Sequence, residues 1–135
     1  MGLVAGVLLA TAWNLWAVLA LNIVAGELGW WSFAPGLATF MGVAVEPWIG
    51  WVILWGAVVP LAAHDRPVAV SIVLFLWVDL IAMPMLEPLL VLGKDWLIGE
   101  AAALAITLIP GLLLARWTAT DTRLYRRAAL QVVCA

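Results

Sequence analysis

Four acidic residues fall within or at the ends of long apolar stretches of the chain. Asp79 lies near the middle of one such stretch, and Glu46, Glu87 and Glu100 lie nearer the ends of others. Carboxyl groups are costly inside hydrocarbon, so within a bilayer they mark a functional site or a specific partner. A carboxylic acid held there can act as a proton donor. The candidate catalytic residues are therefore Asp79, Glu87 and Glu46.

The residues around Glu87 predict a broken helix. Pro84 and Pro88 stand on either side of this acid, and each proline leaves a helical carbonyl that protein or water must satisfy. Interrupted helices often line cavities in membrane proteins. Asp79, Met83 and Glu87 are spaced by four residues, so on a continuing helix they would border one groove.

The other two glutamates have a simpler interpretation. Glu46 precedes Pro47, and Glu100 is near the expected start of the last apolar stretch. A carboxylate is favoured at a helix N-terminus by the helix dipole. We therefore expect both glutamates to act mainly at helix starts, with Glu46 kept as the third candidate acid.

Tryptophan is unusually abundant, with ten in 135 residues. Some of these side chains are expected at the membrane interfaces, as in an aromatic belt. Trp51, Trp55 and Trp77 lie deeper and could form an aromatic wall for a flat or polyene-like apolar ligand; Met83 is a further candidate binding residue. The alternative is bulky packing against lipid or neighbouring helices. Indole faces could also stabilise a cation.

Polar residues are expected at a similar depth on other helices. Asn14 and Thr107 fall near the centres of the first and last apolar stretches, which makes them candidate binding residues beside Asp79. The alternative is structural, because a protonated Asp79 hydrogen-bonded to Asn14 would hold two helices together.

The composition predicts an all-α, polytopic membrane bundle. The chain is 67% hydrophobic and only 10% charged, whereas soluble domains are about half apolar and about a quarter charged. About 20 apolar residues are needed for a span, and stretches near 3–25, 47–63, 67–92 and 97–115 qualify. Residues 28–45 contain several glycines and a proline and predict a re-entrant or interfacial loop. The transmembrane domain is expected to cover 1–117.

Charged residues predict the orientation of the bundle. Arg66 lies in one connection and Arg116 at the end of the last span, with Arg123, Arg126 and Arg127 beyond it; Lys94 lies alone in the other connection. Under the positive-inside rule both termini are expected in the cytoplasm. Residues 118–135 are expected to be a basic cytoplasmic tail or the start of a further membrane segment.

Two stretches carry a family resemblance. Residues 43–55 (VAVEPWIGWVILW) and 79–88 (DLIAMPMLEP) resemble the small polytopic proteins of carotenoid biosynthesis, of the membrane lycopene-cyclase and carotenoid-hydratase type. The resemblance implies acid-initiated chemistry on an isoprenoid chain. A carboxylic acid, Asp79 or Glu87 with Glu46 next, would protonate a double bond, and aromatic faces would shield the resulting carbocation.

Three functions remain open from the sequence. The first is a membrane enzyme, or part of one, that acts on an isoprenoid or other lipid. The second is a non-enzymatic membrane subunit or assembly partner, and the third a small oligomeric transporter. The sequence contains no G-x-S-x-G, phosphate loop, H-E-x-x-H or CxxC motif, so it predicts no cofactor and no metal. Nucleic acid is not an expected partner, whereas membrane lipid and another protein chain are.

Overall fold

A computed structural model describes residues 2–118 of the chain, which are mostly helical. Its four long helices are α1 (Gly2–Leu28), α2 (Val45–Ala62), α3 (Val68–Met85) and α4 (Trp96–Thr118). Each helix is long and apolar enough to cross a membrane. The expected helical bundle is thus present. The expected tail, residues 118–135, lies outside the described residues apart from its first member.

The connections at one end of the bundle contain short strands, which the all-α prediction omitted. The strands are β1 (Trp31–Phe33), β2 (Thr39–Phe40), β3 (Val43–Ala44) and β4 (Leu90–Leu92). β1 pairs antiparallel with β4, and β2 pairs antiparallel with β3. The region 28–45, predicted as a loop, is thus built mainly from these strands and the turns between them.

The third helix ends earlier than the sequence suggested. It stops at Met85, one residue beyond Pro84, instead of continuing toward Leu92. The chain then turns through a cis peptide bond between Glu87 and Pro88 and enters β4. Because residue 87 is not helical, Asp79, Met83 and Glu87 do not line one helical groove.

Glycines allow α1 to pack tightly against α2 and α4. A Cβ atom on Gly6 would lie 2.5 Å from the Ala115 carbonyl oxygen, and one on Gly56 would lie 2.7 Å from the Thr11 Cα. A Cβ atom on Gly111 would lie 2.8 Å from the Asn14 amide nitrogen. Small residues allow helices in a membrane to approach closely, and this is seen between α1 and α4.

Two π-helical segments widen α2 and α4. They cover Leu54–Val58 and Leu104–Leu108, and each is followed two residues later by a proline, Pro60 or Pro110. A proline cannot donate to the carbonyl four residues before it, so the regular helix is disturbed at that point. π-Helical turns are frequent at functional sites.

The two halves of the bundle resemble each other. Each half has a helix, one strand of the β1–β4 pair and a second helix that contains a π-helical segment and a proline; the first half has β2 and β3 in addition. β1 and β4 share the same order of buried, exposed and partly buried residues and pair about a local two-fold axis. Buried Asn14 and Asn22 of α1 have the same separation as buried Ser71 and Asp79 of α3.

Candidate functional site

Two carboxyl groups face each other in the centre of the bundle. Asp79 projects from α3 and Glu100 from α4, each only 4% exposed. The two groups lie in hydrogen-bonding range of each other. They line a cavity with about 20 Å³ of space for water, which is room for about one water molecule. The arrangement is a compact acid pair contributed by two helices.

The pair is incompletely satisfied by the protein. Asp79 Oδ1 and Glu100 Oε2 are buried and have no hydrogen-bond partner among residues 2–118. Two carboxylates sharing a buried site cannot both ionise at low cost, so a proton between them is expected. A carboxyl pair that holds a proton and has free oxygens can donate that proton to a bound group and accept one in return.

The wall on the strand side is fixed by Asn22 and Trp31. Asn22 donates to the Val18 carbonyl oxygen at 2.8 Å and accepts from Trp31 Nε1 at 2.8 Å. The indole of Trp31 also packs against Gly99, where an added Cβ atom would overlap ring atom Cζ3. The Asn22 amide, which is hydrogen-bonded through both its nitrogen and its oxygen, therefore holds the Trp31 indole beside the acid pair. The indole packs on Gly99, which directly precedes Glu100 in the sequence.

The opposite wall comes from α2 and α4. Trp55, in the first π-helical segment, is 2% exposed and packs against Phe75 with ring centroids 4.5 Å apart. Thr107, in the second π-helical segment, donates to the Ala103 carbonyl oxygen at 2.6 Å. Both residues line the cavity, so each π-helical segment contributes one residue to its lining.

A second group of polar residues lies closer to the other end of the bundle. Asn14 and Ser71 are eight residues before Asn22 and Asp79 on their helices, a distance of about 12 Å along the axis. Asn14 donates to the Ala10 carbonyl oxygen and does not bond to Asp79. The predicted Asn14–Asp79 hydrogen bond is therefore not formed.

A larger groove, which we call the lateral groove, opens on the side of the bundle near the strands. Its volume is about 580 Å³, within the usual range of small-molecule sites. The groove and the central cavity share Trp51 as a lining residue. The other groove residues are Gly36, Leu37, Ala38, Ala44, Glu46, Pro47, Gly50, Leu54, Leu86 and Leu89.

The structure brings together some of the residues singled out from the sequence. Asp79, Trp51, Trp55, Met83 and Thr107 all line the central cavity. Their proposed roles in binding and catalysis remain predictions. Within residues 2–118, no group of three or more His, Cys, Asp and Glu side chains could hold a metal ion.

Other predicted residues lie away from the cavity. Glu87 is exposed in the turn after α3, and Trp77 is 66% exposed on the outer face of that helix. Glu46 is exposed in the first turn of α2, as expected of a residue at a helix start, and it lines the lateral groove. Asn14 belongs to the second polar group.

Three residues of the central cavity differ from what the sequence predicts or were not predicted at all. Glu100 is not at the start of α4, because the helix begins at Trp96, and its side chain is buried. The spacing of Glu100 and Thr107, two helical turns apart, would have placed both on one face. Asn22 shares a face with Asn14 in the same way, whereas Trp31 carries no comparable signal in the sequence.

No family model, curated protein or solved structure matches this chain.

Proposed function

We propose that this chain is a multi-pass membrane enzyme that protonates a carbon–carbon double bond of an isoprenoid or similar apolar chain. The carrying observation is the buried pair of Asp79 and Glu100, which share one cavity with the indoles of Trp31 and Trp55. An acid pair supplies the proton, and aromatic faces stabilise a cation. The resemblance to carotenoid-biosynthesis proteins supports the same chemistry.

The proposed reaction needs no redox partner. A proton from the Asp79–Glu100 pair forms a new C–H bond at one carbon of the double bond, and the other carbon becomes a cation. The π-electrons of Trp31 and Trp55 stabilise this cation. The carboxylate left behind then removes a proton from a neighbouring carbon, or takes one from water as it adds to the cation, and the pair regains its proton.

The test uses an acyclic isoprenoid polyene and the purified protein in D2O. We expect one deuterium from solvent in the product, detected by mass spectrometry. Asp79→Asn and Glu100→Gln should abolish incorporation, because each removes one acid of the pair. Glu87→Gln is the matched control, since Glu87 is exposed outside the cavity, and it should retain activity. Full turnover by both cavity variants would exclude the proposal.

We further propose that the bundle lies in the cell membrane with both termini in the cytoplasm. The supporting observation is that Arg66 and Arg116 lie at one end, where an Arg116 side-chain nitrogen donates to the Arg66 carbonyl oxygen. A green fluorescent protein fused to the C-terminus should fluoresce in cells, as it does when cytoplasmic. Activity of a periplasmic reporter at the same position would reverse the orientation.

A non-enzymatic subunit is the second candidate. α3 is the least covered helix, with 22% of its apolar window buried compared with 39% for α1 and α4. Its outer face carries Val73, Trp77 and Ile81, all largely exposed. This face could contact another membrane protein. A partner that co-purifies with the wild type and is lost in Trp77→Ala would favour this function, whereas a stable lone monomer would count against it.

A further inference from the structure

The lateral groove and the central cavity differ in volume, so they suit different parts of one ligand. The central cavity has about 20 Å³ of space for water, whereas the groove has about 580 Å³. The empty space of the central cavity is about that of one water molecule, so an extended hydrocarbon cannot lie within it. A long ligand must therefore lie elsewhere and reach the acids with its end.

Trp51 connects these two spaces. Its side chain is half-buried, and it lines both the central cavity and the groove. On the same helix, Trp55 is buried beside the acids one turn further on, and Leu54 lines the groove. Trp51 is therefore the residue at which the groove meets the Asp79–Glu100 cavity.

The charges around both spaces select against an anionic ligand. Glu46 lines the groove, and Asp79 and Glu100 line the cavity. Neither set of lining residues, within the described part of the chain, contains Lys, Arg or His. A carboxylate or diphosphate head group would lie beside acidic side chains without a cation to pair with. Like charges placed together are unfavourable.

We infer that the lateral groove binds the uncharged hydrocarbon chain of an apolar substrate and directs its end past Trp51 toward Asp79 and Glu100. The small residues Ala44 and Gly50 and the apolar residues Leu54, Leu86 and Leu89 line the groove. Leu89 is 46% exposed, so a hydrocarbon chain can reach the groove from outside the bundle. The reaction at the chain end rests on the proposed function, but binding in the groove does not.

Photolabelling tests the binding directly. The probe is a neutral, linear alkene with a diazirine in its chain, used with protein in lipid nanodiscs, and the free fatty acid of equal length is the comparison. The neutral probe should label the segment that contains Leu86 and Leu89 in a saturable manner. We expect the fatty acid to compete at least about tenfold more weakly, because its carboxylate meets Glu46.

Two matched variants control the experiment. Gly50→Leu places a large side chain in the groove, where a Cβ atom on Gly50 meets no atom within 4 Å. It should abolish saturable labelling. Ala20→Leu makes a similar small-to-leucine change on the exposed face of α1 and should preserve it.

The outcomes separate binding from catalysis. Equal, non-saturable labelling of Leu89 and of the outer α3 residues Val73 and Ile81 would identify ordinary lipid contact and overturn the inference. Unchanged labelling in Gly50→Leu, or equal competition by the fatty acid, would also overturn it. Saturable labelling of the groove without deuterium incorporation would retain the inference and reject the proposed enzymatic reaction.

Discussion

Trp13 Nε1 donates a 2.7 Å hydrogen bond to the carbonyl oxygen of Ile106. That oxygen lies four residues before Pro110, which has no N–H with which to bond it. The indole of α1 therefore satisfies a carbonyl that the proline leaves free in α4. The contact fixes the π-helical segment that contains Thr107 and so supports one wall of the acid cavity.

Trp13→Phe should destabilise the protein by about 1 kcal/mol, because it leaves the Ile106 carbonyl without its indole donor while keeping most of the apolar ring. Trp16→Phe is the control, since Trp16 is 64% exposed and makes no hydrogen bond that the described part of the chain shows. Unfolding of the detergent-solubilised protein in sodium dodecyl sulfate measures the difference. Equal stability of the two variants would show that the indole bond contributes nothing.

Gly56→Ala should destabilise the protein by roughly 1–3 kcal/mol, as expected for overpacking at a tight contact. The new Cβ atom would lie 2.7 Å from the Thr11 Cα and force α1 and α2 apart. Gly50→Ala is the matched control in α2, where nothing lies within 4 Å, and it should be neutral or stabilising by about 0.5–1 kcal/mol. The same unfolding assay decides, and a neutral Gly56→Ala would contradict the close packing.

Arg116→Lys should loosen the turn between α2 and α3. One Arg116 guanidinium nitrogen donates to the carbonyl oxygens of Ala63, at 3.1 Å, and Arg66, and lysine cannot reproduce this planar arrangement. The loss of a charged hydrogen bond predicts about tenfold faster amide hydrogen exchange at Arg66. Arg66→Lys is the control, because its exposed side chain only approaches Asp65 at 3.9 Å. Equal exchange in the two variants would contradict the role of Arg116.

The helices were predictable because their apolar length is a local property of the sequence. Each expected span overlaps one helix, since long uncharged segments have few alternatives. The strands were not predicted, because Leu90–Leu92 is apolar and reads as the continuation of α3. Its actual structure depends on pairing with Trp31–Phe33, which is distant in the sequence.

The acid pair was only half predictable for a related reason. Asp79 was recognised because a carboxyl within an apolar run is conspicuous by itself. Its partner Glu100 was assigned to a helix start, and the relative height of two antiparallel helices depends on the connection between them. Trp31 is buried against the cavity and donates a hydrogen bond to Asn22, which its position in the sequence does not indicate. Such contacts between separate elements leave no periodic pattern.

The stability of single and double variants should reveal how Asp79 and Glu100 depend on each other. Asp79→Leu leaves the buried Glu100 carboxyl without its hydrogen-bonding partner, so we expect a loss of about 1–3 kcal/mol, the cost of an unsatisfied buried polar group. The double variant, Asp79→Leu with Glu100→Leu, removes both polar groups and should be closer to the wild type in stability. Both variants should be inactive in the deuterium assay. If the double variant were as unstable as the sum of the two single changes, the carboxyl groups would not stabilise each other in the folded protein.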